Sequence, residues 1–179
     1  SADDGFYQCI EAAIQKQSGQ IGRDTWHIIE ETLHENGYGT DGFSQVFRDM
    51  LEGFVEREAS MRLRMDALRA VGERFPVVVF GDELWGDVVG ESYKGRIAYQ
   101  RSDIVDVYNR YAVHVNISKY QLRWAINQRP YDVSACGGFL ITDRRHDLYE
   151  LFAQDEIVSF NTVEELVDLV GNFMHDKTQ

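Results

Sequence analysis

The sequence predicts an α/β fold, a parallel sheet covered by helices and preceded by a helical region. Three observations carry this expectation. Residues 1–75 show only helical periodicity. From Pro76 onward, short apolar runs alternate with helical segments across short connections, the pattern of strand-helix-strand units. The 179 residues suit a domain of ordinary size, and such a chain buries roughly two thirds of its unfolded surface without disulfide staples.

In the helical region, 1–75, Asp3 or Asp4 caps a first helix that runs to about Gln17, where Ser18-Gly19 ends it. Asp24 caps a second helix through Trp26, Ile29 and Leu33, stopped by Asn36-Gly37. Phe43, Phe47, Met50, Leu51, Phe54, Met61, Met65 and Leu68 then recur at helical spacing. They predict one long helix or two abutting at Gly53, over about 43–73, with the aromatics in the core. This region is expected to pack on the same domain as 76–179.

In 76–179, Val77–Phe80 reads as a buried strand ending in the turn Gly81-Asp82, and Gly95–Tyr99 as a weaker second strand. Ser102 or Asp103 caps a short helix, and Tyr111–Asn116 is a third strand. Arg129–Cys136 is helical, with Pro130 tolerated in its first turn. Gly137-Gly138 leads into a fourth strand at Phe139–Thr142, His146–Phe152 is a short helix, and Glu156–Phe160 is a fifth strand. Asn161 with Glu164 forms a capping box before the stripe Val163, Leu166, Val167, Val170 and Phe173. Val78, Val115, Leu140 and Val158 are the expected central strand residues. In open parallel sheets ligands bind beyond the carboxyl ends of the strands, which nominates the loops 81–85, 116–129 and 142–146.

Composition narrows the function. Net charge is −12, from 18 Lys+Arg against 30 Asp+Glu, a balance that repels nucleic acid and anionic membranes. No run approaches the length of a membrane-spanning helix. Two cysteines, Cys9 and Cys136, are too few for a disulfide framework and suit a reducing cytosol, so a cytoplasmic location is expected. The five histidines show no metal-ligand spacing, and neither common phosphate-loop motif is present, so no metal and no cofactor are expected. Yet Asp106 and Asp132 bracket 25 residues without an acid, where Arg110, Lys119, Arg123 and Arg129 remain. Such clearing points to an anion site, the alternative being chance plus a buried strand. Arg129 at a helix N-terminus opposes the helix dipole, which suggests a ligand or a buried partner. Asp132 in the same turn either complements that dipole or accepts hydrogen bonds from two ribose hydroxyls.

The stretch Asn116-Ile117-Ser118, Asn127-Gln128-Arg129-Pro130-Tyr131-Asp132 and Ala135–Asp143 resembles the donor-binding half of GT-B glycosyltransferases. The resemblance is to the CgeB-like "glycosyl transferases group 1" family found with bacterial spore-maturation and surface-glycan genes. Phe80-Gly81-Asp82 with Trp85 resembles the turn of that family, and the similarity spans about 60–175. It implies a Rossmann-like carboxyl-terminal lobe that takes a nucleoside diphosphate sugar as donor substrate and works without a bound metal. Arg129 and Arg123 are then expected at the diphosphate, Asp132 at the ribose, and Asn116, Ser118, Asn127 and Gly81 in the surrounding loops. No catalytic residue is assigned. The acceptor lobe such enzymes need does not fit in this length, so a fragment or a solitary donor lobe is expected. The alternatives are a non-enzymatic α/β interaction or regulatory module and, more remotely, a nucleotide-sugar epimerase-like isomerase.

Overall fold

The computed structural model describes residues 2–97 and 102–176. Within them the fold is Rossmann-like α/β: three parallel strands and eight α-helices, the first three helices forming the amino-terminal region. Helix α1 spans Ala2–Ser18, α2 Thr25–Glu35 and α3 Gln45–Gly72. Helix α1 already begins at Ala2, ahead of both expected caps. Asp24 does cap α2, its carboxylate accepting the His27 N–H at 2.8 Å. Asn36 closes that helix, and Gly37 follows with φ +81°, a conformation that favours glycine. Ser44 caps α3, which passes Gly53 unbroken.

The buried face of α3 differs from the expected one. Leu51, Val55, Ala59, Leu63, Ala67 and Val71 are buried, one every fourth residue. Phe47, Met50, Phe54 and Met61 remain exposed. Close packing of α1 and α2 on α3 selects a ridge of small and branched residues, and the bulky ones fall beside it. The ridge carries two cores on one helix. Leu51–Leu63 pack with Ile10, Ile14, Ile29 and Leu33 of α1 and α2. Ala67 and Val71 pack with Ile141, Phe160, Leu166 and Val170 against the sheet.

Glu56 is buried on the same ridge, where it accepts a hydrogen bond from the Thr25 hydroxyl at 3.4 Å. Burial first, then the neighbouring Glu52 charge, raises its pKa above the ordinary 4.5, with Arg123 and Thr25 opposing. A raised folded-state pKa contributes stability below the unfolded value and loses it as pH rises through the folded one. Glu56→Gln is therefore expected to melt higher than the parent at pH 7, the gap closing as pH falls below about 4.5. A melting difference that does not change with pH would contradict this.

The sheet is β1 His114–Asn116, β2 Leu140–Asp143 and β3 Val158–Phe160, in that order and parallel. Helix α6, Arg129–Ala135, connects β1 to β2, and α7, Leu148–Leu151, connects β2 to β3. Helix α8, Val163–Asp176, follows β3. All of β2 is buried, as its central place requires.

Segment 77–80 does not join this sheet. Its backbone is satisfied elsewhere: Val79 N–H donates to the Ser92 carbonyl, Lys94 N–H to the Val79 carbonyl and Gly81 N–H to the Gly95 carbonyl. Val79 and Tyr93 make an isolated parallel bridge, flanking α4, Leu84–Val89, and a short 3₁₀ turn at Gly90–Ser92. Three expected central residues are not fully buried. Val78 is only half-buried. Edge strand β1 leaves Val115 at 42% exposure, and Val158 of β3 is half-buried, whereas Leu140 is buried. The expected strand 95–99 is not formed at 95–97, and Ala98 and Tyr99 lie outside the described residues.

Helix α5 runs Ser102–Arg110. The cap of α8 sits one residue later than expected. Thr162 Oγ1 accepts the Glu165 N–H at 3.2 Å, and Glu165 reaches back to the Asn161 N–H at 2.7 Å. No helix among the described residues is long and apolar enough to cross a membrane.

Candidate functional site

Strand register sets the site. Asn116 ends β1 opposite Thr142 of β2, so its side chain donates to Thr142 Oγ1 at 2.9 Å. Asn116 Oδ1 in turn accepts the Asn127 amide at 2.8 Å, and Asn127 Oδ1 accepts the Arg129 backbone N–H at 3.0 Å. A chain of three hydrogen bonds thus runs from the end of β2 through β1 to the start of α6. It fixes where Arg129 stands at the start of α6.

Beside it lies a buried knot between the two loops. Asp143, the last residue of β2 and fully buried, accepts the Ser118 N–H at 2.8 Å and Arg145 Nε at 2.6 Å. Arg145 Nη2 donates to the Ser118 carbonyl at 3.2 Å, and its guanidinium carbon lies 5.2 Å from the Tyr120 ring centroid. Two buried polar atoms here have no hydrogen-bond partner among the described residues: Ser118 Oγ and Arg145 Nη1. Burial of unpaired donors is costly, so they single out this place.

Helix α3 supplies the third wall. Arg64 Nη2 donates to the Ile117 carbonyl at 2.9 Å, and the Tyr120 N–H donates to Ser60 Oγ at 2.9 Å. Burial pushes the Tyr120 phenol up, with Arg145 opposing and Asp143 reinforcing the shift. The Arg64 guanidinium is held below its ordinary value, first by burial and next by the positive charge of Arg129. Asp143 opposes this and Arg145 adds to it. Arg64, Arg129 and Arg145 come from a helix, a helix start and a loop far apart in sequence. The positive charges of Arg129 and Arg145 both act on Arg64, as does the Asp143 carboxylate that is paired with Arg145. Such a field attracts a multiply charged anion.

The other residues singled out from the sequence take different places. Arg123 forms ion pairs with Asp24 and Glu52, bolting the 117–128 loop to α2 and α3. Asp132 is half-buried in the first turn of α6. Gly81 sits in the Val79–Gly95 pairing, where it accepts the Tyr93 hydroxyl at 3.2 Å. A Cβ there would lie 2.8 Å from the Trp85 ring, so close packing requires glycine.

Sequence reasoning missed Arg64 and Arg145. Arg145 lies just past the acid-free window, after Asp143, and Arg64 is one cation among the many charges of α3. A groove of about 700 Å³ between α1 and α3 is a weaker candidate, because its Arg62 is matched by Glu11 and its Arg69 by Asp66.

A family model described as glycosyl transferase-like matches residues 57–179. The chain belongs to this glycosyltransferase-like family. No curated protein and no solved structure is similar enough to the chain to count as a match. The matched region contains Arg64, the 117–128 loop, α6 and the Asp143–Arg145 knot, and it excludes α1, α2 and the first part of α3.

Proposed function

We propose that this crevice binds a nucleoside diphosphate sugar, as the carboxyl-terminal donor lobe of a GT-B glycosyltransferase of the CgeB-like kind. The observation that carries the reading is that Arg64, bonded to the Ile117 carbonyl, and Arg129, positioned through Asn116 and Asn127, both stand just past the carboxyl end of β1. Arg64 and Arg129 hold the diphosphate, Asp132 accepts the ribose hydroxyls, Asn116, Ser118 and Asn127 shape the loops between them, and Arg145, buried against Asp143, ties those loops together. During transfer the bond from the anomeric carbon to the diphosphate oxygen breaks, and its electron pair leaves with the diphosphate. The acceptor hydroxyl oxygen bonds to that carbon, and its proton passes to the departing diphosphate or to a base on the acceptor lobe. The arginines lower the barrier by stabilising charge that grows on the leaving group. An acceptor-binding lobe facing the crevice belongs to the same proposal.

Calorimetric titration with pyrophosphate and nucleoside diphosphates tests it. Arg129→Ala and Arg64→Gln are each expected to weaken diphosphate binding by about 1.5–3 kcal/mol, the range of a charge-assisted hydrogen bond. Asp132→Asn is expected to weaken ribose-containing ligands and spare pyrophosphate. Unchanged pyrophosphate affinity in both arginine variants would overturn the phosphate assignment. Silence across UDP, GDP, ADP and CDP would favour a non-enzymatic module.

A further inference from the structure

We propose that the exposed indole of Trp124, braced by His146, is the surface on which the nucleobase of the donor stacks; this inference rests on the donor-site reading above. Trp124 is 54% exposed, although a large apolar ring ordinarily gains by leaving water. It is nevertheless held in place. Its ring meets that of His146 edge-to-face, with centroids 5.6 Å apart and planes at 84°. His146 Nδ1 lies 3.0 Å from Asp147 Oδ1, and the Asp147 N–H donates back to the Trp124 carbonyl at 3.1 Å. The indole, the imidazole and the Asp147 backbone therefore close a ring of contacts that fixes an aromatic face in the open.

The place of this ring gives it a use. Trp124 is carried on the loop after β1, and His146 and Asp147 on the turn after β2. The loop after β1 also carries Asn127, which positions Arg129, and Ile117, whose carbonyl accepts Arg64. A ligand with a diphosphate on the arginines is thus offered a flat apolar surface by the same loops. A nucleobase meets that surface with its own π-face, and stacking of this kind tolerates any base.

The full chain is titrated with pyrophosphate and ribose 5-phosphate, which lack a base, and with UDP, GDP, ADP and CDP. The parent is expected to bind at least one nucleoside diphosphate about tenfold or more tighter than pyrophosphate, as stacking energies allow. Trp124→Ala is expected to remove most of that advantage and leave pyrophosphate and ribose 5-phosphate affinities unchanged. Trp124→Phe, which keeps a ring, is expected to stay within about threefold of the parent. A nucleoside diphosphate advantage that survives in Trp124→Ala would overturn the platform and leave the phosphate site standing. So would a parent that binds pyrophosphate as tightly as every nucleoside diphosphate. If the parent binds neither class, the donor reading fails and the platform falls with it.

Discussion

Asp143→Asn is expected to destabilise the chain by about 3–5 kcal/mol, the cost of leaving one partner of a buried ion pair uncompensated. Asp143 and Arg145 are fully buried, and the carboxylate also accepts the Ser118 N–H. The asparagine amide can present one oxygen to these donors, where the carboxylate presents two charged ones. For a chain of this size the loss corresponds to a fall of about 6–20 °C in Tm. Adding Arg145→Met should recover much of it, because the unpaired charge is then gone. A loss below about 1 kcal/mol in the single variant would show that the knot does not hold the two loops together.

Phe160→Ala is expected to cost about 3–5 kcal/mol through lost transfer energy and the cavity left behind. Phe160 ends β3, is fully buried, and packs with Ile141, Leu166, Val167 and Val170. Unfolding should remain a single transition. Helix α3 runs without a break from the core it shares with α1 and α2 into the core it shares with the sheet, so neither core is lost without pulling on the other. Circular dichroism followed beside Trp fluorescence checks this. Two separated transitions, with only the later or only the earlier shifted by the substitution, would show that the cores fold independently.

The elements best read from the sequence are those whose signals are local. The Asp24 cap, the Asn36-Gly37 stop and the Gly137-Gly138 turn each act through their own backbone, so the residue type alone reveals them. The apolar stripe of α8 is similarly self-contained, and only its cap is displaced by one residue: Thr162 takes the Glu165 N–H, and Glu165 takes the Asn161 N–H that the expected pair would also have satisfied. The burial of α3 was not legible in this way. Its aromatics and methionines have helical spacing, as does the smaller ridge beside them, and the choice between two faces is made by α1 and α2.

The candidate site divides along the same line. The stretch 116–143 carries Asn116, Asn127 and Arg129 close together in sequence, and β1 pairing with β2 joins them by hydrogen bonds. Arg64 sits far outside that stretch and reaches the Ile117 carbonyl only because α3 crosses behind the 117–123 loop. Arg123 looked the same as Arg129 in charge and neighbourhood, yet its distant partners Asp24 and Glu52 turn it toward the helices. By itself the sequence determined the α/β class, the cap and stop of α2 and the glycine turn after α6, since those follow from periodicity and backbone chemistry. Tertiary structure alone decided how many strands join the sheet, which face of α3 is buried and which partners Arg64 and Arg123 take, because long-range packing and charge depend on distances that no local pattern encodes.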